Sequence, residues 1–119
     1  MKIILTTDSV FAAARLKTMI VDAIKGGATN ITIDTWSYTK SGDGYDIIFH
    51  NLAQYVDDVN KNVLFRVETD GTNVMFSCAW WIKNPEPTTE MLSLHTGRLT
   101  ELLLSHFHAY YNRFSIVEF

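Results

Sequence analysis

The four histidines are the residues best suited to chemistry in this chain of 119, and their spacing limits what they could do. His95 and His106 stand three helical turns apart, so a helix would present both on one face. At 1.5 Å per residue they would be about 16 Å apart, too far to ligate one metal without other elements. His106 and His108 would point to different sides of that helix. Asp46 and His50 share a face if they lie on one strand, yet they would sit about 13 Å apart. An acid–base site would have to combine Asp46, His50, Arg66 and Glu68 on one sheet face. Such work needs hydrogen-bond reach and partial burial, which an open face lacks unless a second subunit roofs it. There is no Gly-rich phosphate loop, Gly-x-Ser-x-Gly elbow, His-Glu-x-x-His or cysteine pair. The sequence therefore assigns no catalytic residue, no metal ligand and no cofactor.

These residues must be positioned by the surrounding elements. Val63, Phe65 and Val67 match Val74, Phe76 and Cys78 across Asp70-Gly71, a pair suited to a type I′ turn. With Asp70-Gly71 as the loop, Phe65 faces Phe76 and Val67 faces Val74 on a dry face that Trp80 continues. Arg66, Glu68, Met75 and Ser77 fall on the other face. A second hairpin, with Gly42-Asp43 at its tip, pairs Trp36 with Phe49 and Tyr38 with Ile47. Its aromatic face holds Trp36, Tyr38, Tyr45, Ile47 and Phe49, and Ile48 and His50 lie opposite. Ile31 and Ile33 break the alternation, which predicts a bulge near Asp34 or cover on both faces.

Before these comes a strand at residues 2–5 and a helix from Ser9 to Lys25, capped by Asp8 and stopped at Gly26-Gly27. Leu52, Tyr55, Val56 and Val59 suggest a two-turn helix after Asn51. A long helix runs from Thr88 or Thr89 to Asn112 and places His95 and His106 in the stripe of Met91, Leu99, Leu102 and Ala109. Gly97 in its middle is expected to pack against an aromatic. A last strand covers residues 114–119.

The order β-α-β-β-short α-β-β-α-β predicts one α+β domain over residues 1–119. It is a two-layer sandwich, with a mostly antiparallel sheet of five or six strands and two major helices on one face. The string of a strand, a helix, four strands and a helix resembles the element order of TATA-binding-protein-like and helix-grip folds. That resemblance is one of order and implies no function.

The net charge is −3 and the ten Lys and Arg residues are scattered, which argues against nucleic-acid binding. Nothing resembles a signal peptide, and no apolar run approaches the roughly 20 residues that span a bilayer, so the chain reads as cytoplasmic. Cys78, the single cysteine, reads as a small buried hydrophobe.

Three functional readings follow. The first is a non-enzymatic module that self-associates or binds a protein partner through the outer sheet face, at Ile48, Leu64, Arg66, Met75 and Trp81, in the manner of a neutralising or immunity-type binder. The second is a small-molecule binder with a pocket between the long helix and the aromatic hairpin, at Trp36, Tyr38, Tyr45, His95 and His106. The third is an enzyme using Asp46, His50, Arg66 and Glu68.

Overall fold

Phe65, Val67, Val74 and Phe76 are fully or almost fully buried, and their period of two builds the centre of the sheet. The computed structural model describes residues 1–27, 31, 33–51, 63–82 and 84–118. Its elements are β1 (Lys2–Thr6), α1 (Val10–Lys25), β2 (Trp36–Lys40), β3 (Asp46–His50), β4 (Leu64–Asp70), β5 (Asn73–Ala79), α2 (Thr89–His106) and β6 (Arg113–Val117). The short helix expected after Asn51 lies outside the described residues. The six strands form one sheet in the order β2-β3-β4-β5-β1-β6, and every neighbouring pair is antiparallel. Both helices pack on one face, as a two-layer α+β sandwich requires.

The β4–β5 turn is one residue further along than the sequence suggests. Asp70 pairs with Asn73, and Gly71-Thr72 forms the loop. Gly71 has φ +58°, and no non-glycine residue among those described has positive φ. That matches a type II′ turn, which needs glycine only at its first central position. The direct partners therefore shift by two: Val67 faces Phe76 and Phe65 faces Cys78. Phe65 and Phe76 become diagonal neighbours. A two-residue shift preserves parity, so the dry face is unchanged.

The β2–β3 hairpin slips by one residue instead, and the consequence is larger. Lys40 pairs with Asp46, so five residues, Ser41 to Tyr45, form the loop. Ser41 and Tyr45 close it, with the Ser41 N–H donating to the Tyr45 carbonyl at 2.9 Å; Gly44 takes the positive φ. Trp36 then faces His50 and Tyr38 faces Ile48. Ile48 lies in the core, and Ile47 and Phe49 turn to the outer face. Ile31 and Ile33 precede β2, so no bulge is needed there, and Ile33 is buried in the core.

Ser9 caps α1 and accepts from the Ala12 N–H at 3.0 Å. Asp8, the expected cap, instead accepts from the Asn112 side chain. Ala13, Leu16, Ile20, Ala23 and Ile24 line the buried side of α1, and Gly26 ends it in the left-handed conformation. Thr88 caps α2, which buries His95, Thr96, Leu99, Leu102 and Leu103. This helix ends at His106, six residues before the expected end. Phe107 is buried, His108–Tyr110 form a 3-10 turn, and the Asn112 N–H donates to the Thr6 carbonyl at 2.8 Å where β6 joins β1. Residues 107–112, which helical periodicity alone would keep in α2, instead form the connection that returns the chain to β1. No helix of the described residues is long and apolar enough to cross a membrane.

Candidate functional site

Trp36 and His50 are cross-strand partners at the open end of the β2–β3 hairpin, and both side chains face the helices. Their rings meet edge to face at 5.2 Å, and Trp36 is buried against Phe65. Across from them, Arg98, Glu101, Leu102, Ser105 and His106 recur at the i, i+3, i+4, i+7, i+8 spacing that puts them on one side of α2. With Thr35 they enclose a cleft of about 350 Å³. That volume falls within the range of small-ligand sites.

The polar groups of the cleft are held unequally. Arg98 Nη1 lies 3.5 Å from Glu101 Oε2, and both side chains are largely exposed, so the pair is weak and easily exchanged. His50 Nδ1 is sealed from solvent and has no hydrogen-bond partner among the described residues. Burial holds the His50 imidazole below its ordinary pKa of 6.5, and the Arg98 guanidinium adds to that effect against an opposing pull from Glu101. His50 is therefore neutral at pH 7. An N–H at Nδ1 would be a buried donor without an acceptor, so the proton of the neutral ring is assigned to Nε2.

The pocket expected from sequence is recovered only in part. Trp36 and His106 line the cleft. His106 shares the angular position of His95 but is exposed, whereas His95 is buried. Tyr38 belongs to a separate cleft beside α1, where its hydroxyl donates to Asp46 Oδ1 at 2.5 Å. Lys17 Nζ lies 2.9 Å from the other oxygen of Asp46. Together these contacts tie α1 to the second hairpin. Tyr45 faces outward, with the Arg66 guanidinium 4.0 Å above its ring.

Thr35, His50, Arg98, Glu101, Leu102 and Ser105 line the cleft but were not among the expected pocket residues. Part of their signal was present: Arg98 and Glu101 lie about two and one and a half turns before His106, and Ser105 is its neighbour in sequence. His50 was hidden by the one-residue slip of the hairpin.

The candidate acid–base set does not assemble. Asp46 and His50 face the helices, whereas Arg66 and Glu68 alternate with the core residues Phe65 and Val67 and face the other way. Nor do the five candidate interface residues form one exposed patch. Ile48 is 0% exposed in the core and Leu64 is 2% exposed on the outer face. Arg66 and Met75 are half-buried, and only Trp81 is well exposed. Trp80, expected to continue the dry face, lies past the end of β5 and is exposed beside Trp81 and Ile82. Gly97 is exposed, and an added Cβ would meet nothing within 4 Å, so no aromatic among the described residues packs there. Burial pushes the half-buried Cys78 thiol up, against a smaller lowering by the Thr96 hydroxyl, which keeps it unreactive.

Among the described residues, no group of three or more His, Cys, Asp or Glu side chains could hold a metal ion. No family model, curated protein or solved structure matches the chain, so the resemblance in element order carries no further.

Proposed function

We propose that this protein is a small-molecule binding domain whose site is the cleft between α2 and the open end of the β2–β3 hairpin. The observation that carries this reading is the enclosure of about 350 Å³ by a buried Trp36 wall and converging polar side chains from both structural layers. An apolar wall with a few fixed polar groups is how small-ligand sites are generally built.

Chemical-shift mapping with benzoate, benzamidinium, phenol and indole tests the reading. At least one of these fragments should shift Thr35, the Trp36 indole, His50 and Leu102 as a group. If none moves them at millimolar concentration, the cleft is not a ligand site.

A second reading is a protein-binding module, favoured by the consecutive exposed residues Trp80, Trp81 and Ile82, the last of them 96% exposed. It expects self-association or a partner at that end of β5. Trp81→Glu should then shift sedimentation toward monomer while leaving circular dichroism unchanged. A wild-type protein that sediments as a monomer at high concentration would remove the self-association form.

A further inference from the structure

Resting on the ligand-site reading above, we infer that the cleft takes an organic carboxylate, and that Glu101 is a built-in competitor occupying Arg98 until the ligand displaces it. The cleft lining carries one guanidinium and one carboxylate, and the guanidinium has donors to spare beyond that pair. Arg98 carries a permanent positive charge and five N–H donors, and its contact with Glu101 engages one nitrogen at 3.5 Å. A planar carboxylate can take two parallel N–H donors of a guanidinium at shorter range, a geometry the long pair to Glu101 does not achieve.

His50 supplies the second contact. With Nδ1 sealed, its Nε2–H is the donor left to face a ligand, and a neutral donor binds a carboxylate without a second buried charge. Trp36 and Leu102 give the apolar part of the ligand a surface to lie against. The titratable and charged groups lining the cleft beside His50 are Arg98, Glu101 and His106, all on α2; Thr35 and Trp36 contribute no charge.

Glu101 is the specific element of the proposal. An exposed ion pair of this kind is weak, so breaking it opposes ligand binding only slightly. Isothermal titration at pH 7.5 with benzoate, benzamidinium and phenol provides the test. Benzoate should bind best. Arg98→Ala should weaken it about tenfold, the loss expected for a charged hydrogen-bonding partner, and Arg98→Lys should restore part of that loss. Glu101→Gln should strengthen benzoate binding about two- to fivefold, the range set by an exposed ion pair. Equal binding of benzamidinium or phenol would overturn the carboxylate assignment and leave the ligand site standing. Unchanged or weaker benzoate binding to the Glu101→Gln variant would overturn the competitor role. If no probe binds, the ligand-site reading itself fails.

Discussion

His50→Phe should make the protein more stable, because His50 buries a polar atom that no described residue pairs. Its Nδ1 is buried with no partner among the described residues, and an unsatisfied buried polar atom costs about 1–3 kcal/mol. The ring is only half-buried, so the lower end of that range applies, about 1 kcal/mol. Phenylalanine keeps a planar ring against Trp36, where the two rings now meet edge to face at 5.2 Å, and removes the stranded nitrogen. With a urea m-value of about 1–3 kcal/mol/M, the midpoint should rise by roughly 0.3–1 M at pH 7.5.

The pH dependence gives a second readout. The folded pKa of His50 lies below 6.5, so between the two values the unfolded chain binds more protons. The wild type is at full strength on this account above pH 6.5 and loses stability as pH falls through the folded pKa. The stability gap between variant and wild type should therefore widen on acidification, and the difference between the two curves isolates His50 from the other histidines. A variant less stable than wild type at pH 7.5, or a gap independent of pH, would refute the reasoning.

Phe76→Ala should cost about 3–5 kcal/mol in a denaturant titration, since Phe76 is fully buried between Val67 of β4 and Ile3 of β1. Gly97→Ala should stabilise α2 by up to about 1 kcal/mol, because the added methyl meets no neighbour and glycine is a poor helix former; a lower melting temperature would contradict this. The Tyr38 hydroxyl is pushed up to about 12, first by its hydrogen bond to Asp46 and then by burial. Stability from that group is complete below pH 10 and is lost as pH rises through about 12, so Tyr38→Phe should flatten alkaline unfolding in that window.

The two hairpins show what the sequence could and could not specify. In β4–β5 the apolar residues alternate on both sides of the turn, so the dry face was legible although the turn type was not. Types I′ and II′ differ there by a two-residue register shift, which leaves each side chain on its face. In β2–β3, glycines at 42 and 44 permit loops of even or odd length, and the odd loop reverses every side chain of β3 relative to the expectation. That reversal moved Ile48 into the core, carried His50 to the cleft and separated Asp46 and His50 from Arg66 and Glu68. The long helix posed a different problem. Its periodicity gives the angle of each residue but not what lies opposite, so His95 and His106 looked equivalent although His95 is buried and His106 exposed. The exposed Phe11, at 75%, and Ile82 carry no pattern that would have marked them as surface residues.

Long-range nitrogen–proton correlation of the histidine side chains, followed during a benzoate titration at pH 7.5, tests the cleft most directly. The account predicts a neutral His50 with its proton on Nε2, and benzoate should shift that nitrogen together with the Trp36 indole N–H. A His50 protonated at Nδ1, or a ring and indole that both stay fixed through tens of millimolar benzoate, would contradict it.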